Sequence, residues 1–420
     1  MVLGVVGSVA NATEAPSITR ASGESPFPED GCGQADHAYY GSQRGMESDV
    51  SLAADPEDAT HLVAAWIQDE GFGIVTATSF DGGATWTRAV VPNVALCSGG
   101  PAQRVVHARL AFGPGGHVWV TGEVLDGYFP DPRSGLNGVP VSASTDGGLT
   151  WSPAVRVETF PVLSGLNHIA ADPSSPGSVV VSWHALEPFA TSYVSRSDDA
   201  GATWHATAVP AYAHDALPFH RLVIGPDGTY YLFTVEGTLR SFPKPSAPLL
   251  SVQRSNDRGA TWTPRTTIAR KVAWQWPTGA MGPDGTLYAQ WLVEEADGTQ
   301  SLRVARSVDG GTTWSAPVVA AKGHIGPEPS FAVTATGVLA SGYTTGTGGQ
   351  RVLRLTRSTD RGATWTTSVV DGPYTQPANE GFYNETVAMA DGSLAVVYTK
   401  AGPGSDGPTD AYVAVIDQQP

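Results

Sequence analysis

The 420-residue chain is poor in positive charge and in cysteine, and it contains no long hydrophobic run. Lys and Arg total 24 against 40 Asp and Glu, so the formal charge is 24 − 40 = −16. A surface of that sign repels a phosphate backbone and argues against a nucleic-acid partner. It does not exclude an anionic glycan, because a local cluster of Arg and His can override the global sign inside one pocket. No stretch reaches the roughly 18 consecutive apolar residues of a membrane span. The apolar start, MVLGVVGSVANA, lacks a basic leading segment and reads as a weak signal peptide or a trimmed start. Long helices are disfavoured as well, since 49 Gly and 32 Pro imply many tight turns. The two cysteines, Cys32 and Cys97, are expected to form one disulfide in a secreted, periplasmic or otherwise extracellular protein. Two buried thiols would give the same sequence. Neither a helical H-E-x-x-H nor a close cysteine spacing supports a transition-metal site.

What the chain does have is a repeated phrase. SFDGGATW at 79–86 returns as STDGGLTW, SDDAGATW, SNDRGATW, SVDGGTTW and STDRGATW. The closing tryptophans are Trp86, Trp151, Trp204, Trp262, Trp314 and Trp365, and their gaps are 65, 53, 58, 52 and 51 residues. A period of about 50 is that of a propeller blade. Around each phrase lie short alternating runs between Gly/Pro/Asp turns, which is the period-two signature of strands. First strands begin near Asp49, Ala108, His168, Arg221, Thr278, Pro329 and Thr386, which makes seven units rather than six. The seventh supplies three strands and no phrase. Its fourth is expected from PSITRASG at 16–23, since an open blade would leave an unpaired edge. The expected fold is therefore all-β: a seven-bladed β-propeller of four-stranded antiparallel blades, closed by an N-terminal strand. A six-bladed ring with a C-terminal tail is the alternative. Residues 1–15 are expected to be an extension and 16–420 one propeller domain.

The phrase S-x-D-x-G-x-T-W before a fourth strand resembles the Asp-box repeat (BNR repeat) of sialidase-like and related carbohydrate-active propellers. The resemblance covers about residues 44–417. It implies that the box lies at the blade periphery, away from the central funnel. Asp81, Asp146, Asp199, Asp257, Asp309 and Asp360 are accordingly expected to be structural, each accepting backbone N–H groups within its own turn. Each turn carries too few acids for a strong calcium site. No cofactor is expected, and a single structural calcium ion near the axis is the one exception left open.

Function is expected at the mouth of the ring, where the approaches to the first strands converge with the loops between second and third strands. His107, His168, His214, His220 and His324 fall in those approaches, with His184 on a loop of the same face. Arg44, Arg104, Arg109, Arg133 and Arg221 gather there too. Three classes of function compete, and the His and Arg cluster fits β-elimination best. β-Elimination on a uronate-containing glycan needs a cation at the C6 carboxylate, a base near neutral pKa, and an acid. For it, His107, His168 and His220 are the acid/base candidates, Tyr383 an alternate acid, and Arg109 and Arg221 the carboxylate ligands. Arg44, Trp274, Trp276, Glu328 and Glu385 complete the expected substrate-binding set. A glycoside hydrolase, sialidase-like or general, needs two carboxylates roughly 5–9.5 Å apart. Glu47, Asp49, Asp215, Glu236, Glu328 and Glu385 offer choices. The sialidase resemblance implies an arginine triad and a tyrosine–glutamate pair, but the approaches to blades five to seven contain no Arg. A lectin-like propeller is the non-enzymatic alternative, against which the seven unlike approaches argue. The expected partner is a glycan, with an anionic one favoured, and the chain is expected to be a monomer.

Overall fold

A computed structural model describes residues 15–29, 32, 44–69, 71–125, 138–158, 164–185, 191–210, 216–238, 248–273, 276–326, 328–347, 349–376, 383–401 and 408–417. Its strands form seven four-stranded antiparallel sheets arranged as the blades of a propeller. The innermost strands are Glu47–Ala54, Arg104–Phe112, Ser164–Ala171, Ala216–Ile224, Thr278–Met281, Ala332–Val333 and Asn384–Ala388 for blades one to seven. Within blades one to six each strand pairs with its sequence neighbour. In blade seven the outermost place is taken by Ser17–Arg20, which pairs with Thr409–Ile416 in the register Ser17↔Val415 to Arg20↔Tyr412. The seven-blade reading and the N-terminal closure both hold.

The expected alternation of apolar and polar residues is lost where blades are covered on both faces. All seven residues of Leu62–Gln68, LVAAWIQ, are buried, as are those of Val179–Ala185, VVVSWHA. His184 therefore lies inside a second strand rather than on a loop of the mouth. The core is divided in the same way, with one apolar cluster in each seam between adjacent blades.

The six boxes close six of these seams. In blade one, Asp81 Oδ1 accepts the Thr85 N–H at 2.8 Å and its Oδ2 accepts the Thr85 hydroxyl at 2.6 Å. Ser79 Oγ accepts the Gly83 N–H at 2.8 Å. The same Asp–Thr pair recurs at Asp146, Asp199, Asp257, Asp309 and Asp360. Gly83 has φ +87°, a conformation that side-chain-bearing residues avoid. Each box also touches the preceding blade. Thr19 of the closing strand donates to Gly83 O at 2.6 Å, and Trp86 Nε1 donates to Thr19 Oγ1 at 3.0 Å. The phrase is thus a fastener between blades, and its first copy bolts the N-terminal strand in place.

These turns make the fold acid-sensitive. Hydrogen bonds from Thr85 and Ser79 pull the Asp81 carboxyl down to about 2 from an ordinary 3.8, and Asp199, Asp257, Asp309 and Asp360 behave alike. A depressed folded-state pKa contributes stability that is present above the unfolded value and lost as pH falls through the folded one. The melting temperature is expected to drop steeply between pH 4 and 2. Asp309→Asn should shrink that drop, and an unchanged acid limb in the variant would separate the boxes from acid stability.

Candidate functional site

The mouth is shaped by three bulges at equivalent places. Pairing between first and second strands slips between Ser48 and Ser51, between Val106 and Arg109, and between Gly165 and His168. At the first two slips Asp49 (φ 50°) and His107 (φ 56°) adopt left-handed backbone. A residue with a side chain pays of order 1 kcal/mol or more there, and such strain collects at functional sites. The bulges re-aim these side chains. The Asp49 carboxylate reaches across the seam and accepts the His107 N–H at 2.9 Å. The Asp49 charge also acts on the nearby Tyr383 phenol.

Beside this pair opens a cleft at the mouth of the ring. Arg109, His168, His220, Arg221, Trp276, Glu328, Tyr383 and Glu385 all line it. Arg109 carries its guanidinium 5.3 Å from the Trp276 ring centre and 5.5 Å from that of Tyr383, in cation–π range. Among the described residues its one hydrogen bond goes to Ala108 O, so most of the fork is available to an anionic ligand. Arg221 lies 3.4 Å from Glu385, whose other oxygen accepts the Ser51 hydroxyl at 2.6 Å and the Leu52 N–H at 3.1 Å.

Glu328 sits on the wall between these groups. Burial pushes its carboxyl up to about 8, the Asp49 charge adds to the rise, and Arg109 and His107 offset only part of it. A carboxyl in this state holds its proton at neutral pH and can donate it. Burial likewise raises the Tyr383 phenol far above its ordinary value, with Asp49 and Glu328 adding to the effect.

The histidines divide by their hydrogen bonds. His107 Nδ1 lies 3.1 Å from Glu123 Oε2. Burial alone would lower its pKa, but the Glu123 hydrogen bond and the charges of Asp49 and Glu123 outweigh it, and the ring is raised above 6.5. His168 is driven well below 6.5 by burial and by the charges of Arg221 and Arg109. Its Nδ1 accepts the Leu222 N–H at 3.3 Å, which places the proton of the neutral ring on Nε2. His220 is fully buried, bonds Ser192 Oγ through Nε2 at 2.9 Å, and is pushed down to about 3 by burial. Glu123→Gln should lower the His107 midpoint in an NMR titration of the ring. No change would mean that Glu123 does not hold the charge.

The structure thus brings together His168, His220, Tyr383, Arg109, Arg221, Trp276, Glu328 and Glu385, with His107 one layer behind. Arg44 is exposed in the turn before the first strand of blade one and does not line the cleft. Trp274, Asp215, His214 and Arg133 lie outside the described residues. Glu47 is fully buried, bonded to Gln68 at 3.0 Å, and lies beside the Arg20–Asp410 ion pair of the ring closure. Glu236 pairs with Arg265. Cys32 and Cys97 are bonded, with Cα atoms 5.4 Å apart. Glu123 is not singled out from sequence, and Asp49 enters there only as one of six carboxylate choices for hydrolysis. Aligning the first strands places Asp49 and His107 at the same offset, which is the signal that finds Asp49. Nothing local marks Glu123. Among the described residues no group of three or more His, Cys, Asp or Glu is arranged to hold a metal ion, and no helix is long and apolar enough to cross a membrane.

No family model matches the chain, and no curated protein matches it. Solved structures do. An ulvan lyase, described as a polysaccharide lyase of a new family, superposes with a TM-score of 0.56 at 11% identity, over 88% of this chain and 95% of that one. The Hadza microbial sialidase Hz136 gives 0.54 at 17% identity, over 86% and 74%. A Penicillium chrysogenum α-L-arabinanase complexed with arabinobiose gives 0.53 at 14% identity, over 97% and 98%. At such identities the likeness is one of fold, and the three are β-propeller carbohydrate-active enzymes.

Proposed function

We propose that this chain is a carbohydrate-active enzyme that binds an anionic glycan across the mouth of the ring and cleaves a glycosidic bond there. The carrying observation is the placement of Glu328 in one cleft with Tyr383, Arg109 and Arg221, where burial raises its carboxyl to about 8. In hydrolysis Glu328 protonates the leaving glycosidic oxygen as the C–O bond breaks. Tyr383 would pass its hydroxyl proton to the Asp49 carboxylate as its oxygen attacks the anomeric carbon, and water then breaks the resulting C–O bond to release the sugar. The sialidase resemblance implies a tyrosine–glutamate pair, and this reading departs from it in using Asp49 as the carboxylate and Glu328 as the acid. Arg109 and Arg221 supply planar forks for an acidic group on the sugar, and Trp276 a face for its ring.

β-Elimination of a uronate is the second reading, favoured by the donor-rich wall of Arg109, Arg221 and the His168 Nε2–H. Its weak point is the base. His107 is tied to Glu123 and His168 turns a protonated nitrogen to the cleft, while His220 is bonded to Ser192. The proton would have to leave through Tyr383 to Asp49. Digestion of a panel of acidic glycans separates the two readings. Hydrolysis yields new reducing ends without absorbance near 235 nm, whereas unsaturated products absorbing there would replace it by elimination. Binding with no cleavage of any glycan would favour a lectin-like role.

A further inference from the structure

The seven seams are not filled alike. Trp86, Trp151, Trp204, Trp262, Trp314 and Trp365 each pack into the apolar cluster of the seam before their own blade. The cluster between blades six and seven contains no tryptophan, and Tyr374 and Tyr398 stand there instead. The reason is topological. The third and outer strands of blade seven, Thr409–Ile416 and Ser17–Arg20, lie at opposite ends of the sequence, so no box turn joins them. Where that box would lie, a cleft opens on the outside of the seam, far from the mouth.

Its lining matches what the other boxes rest on. In the seam between blades four and five, Gly311 packs on Leu287 and Val252, and a Cβ on Gly310 would fall 2.7 Å from the Arg254 guanidinium. In the seam between blades three and four, Arg196 donates to the box carbonyl of Arg258 at 3.4 Å. Arg196, Arg254 and Arg357 each stand one residue before the box serine of their own blade. Leu287 pairs with Ser307, and by the same register Leu394 pairs with Ile416. Arg357, Leu394 and Ile416 all line the open cleft, with Thr359 and Thr366. Arg357 is half-buried and has neither ion pair nor hydrogen bond to another described residue. Burial holds its pKa below the ordinary value, and Asp417 is an acid of the same lining.

We propose that this seam is a docking socket for a glycine-containing acidic peptide turn supplied by another polypeptide. The six filled seams show what the surface accommodates: a turn whose glycines rest on the leucine and whose backbone carbonyls approach the arginine. An acidic side chain on the incoming turn adds a charge for Arg357, which a carbonyl lacks. The proposal is independent of the chemistry of the cleft at the mouth.

The probe is the octapeptide SVDGGTTW, the sequence of residues 307–314, titrated calorimetrically into the intact protein. Saturable binding is expected. Arg357→Ala should weaken it by about tenfold or more, as loss of a hydrogen bond to a charged group implies. Thr366→Trp, at an exposed residue of the same lining, fills the socket while keeping Arg357; it should weaken binding equally and serves as the independent variant should Arg357→Ala fail to fold. Absence of saturable binding to the unaltered protein would overturn the proposal, as would equal binding of a scrambled peptide or unchanged affinity in the folded variants.

Discussion

Glu328→Gln is expected to lower kcat on the cleaved glycan by about 10²–10⁴-fold, the usual contribution of a positioned proton donor. The amide has the same shape and the same place on the wall but no proton to give. The unaltered enzyme should lose activity as pH rises through about 8, where Glu328 ionises, and that alkaline limb should be missing from the residual activity of the variant. Stability should move the other way. A carboxyl whose folded pKa stands above its unfolded value of 4.5 favours the fold fully below 4.5, and this advantage is lost as pH rises to about 8. Glutamine never ionises, so the variant should melt higher than the unaltered protein in alkaline buffer. A rate loss together with a stability gain would mark a group kept for chemistry at the expense of the fold. Tyr383→Phe provides the partner experiment, since it removes the hydroxyl near Asp49 and leaves the ring against Arg109.

Reduction of the disulfide carries the largest expected effect on stability. Cys32 and Cys97 close a loop with a sequence separation of 65 residues. Cross-linking a loop of that length restricts the unfolded chain by about 4 kcal/mol in the chain-entropy account. The bond joins the segment after the closing strand to the turn Leu96–Ser98, just before the first strand of blade two. Its loss therefore weakens the ring near its closure and beside the strand that carries His107 and Arg109. A Cys32→Ser, Cys97→Ser variant should unfold at clearly lower denaturant than the oxidised protein and match the reduced one. Equal midpoints for all three would mean that the strand closure alone, Ser17–Arg20 on Thr409–Ile416, secures the ring.

The frame of this protein was legible because it is written as a repeat. Six tryptophans at blade spacing and a seventh set of strands without a phrase were enough to place Ser17–Arg20 in blade seven. The first-strand frame also gathered Arg109, His168, Arg221, Glu328, Tyr383 and Glu385 into one mouth, and the structure lines one cleft with all six. What could not be read was the direction of side chains. Asp49 enters the site because a bulge turns it across a seam, and pairing registers leave no local mark in sequence. The roles of the histidines depended on partners far away in the chain: Glu123 for His107, Leu222 for His168 and Ser192 for His220. Glu47 read as a mouth carboxylate for the converse reason. Its place next to the blade-one approach is local, but its burial against Gln68 and the ring closure is not.

Glu328 should stay protonated at neutral pH, and a 13C NMR titration of its side-chain carboxyl, assigned by its absence in Glu328→Gln, tests this. A midpoint near 8 is expected, shifting upward when Arg109 is replaced by Ala, because the cation that opposes the rise is gone. A midpoint near the ordinary 4.5 would contradict it and leave the cleft without its proton donor.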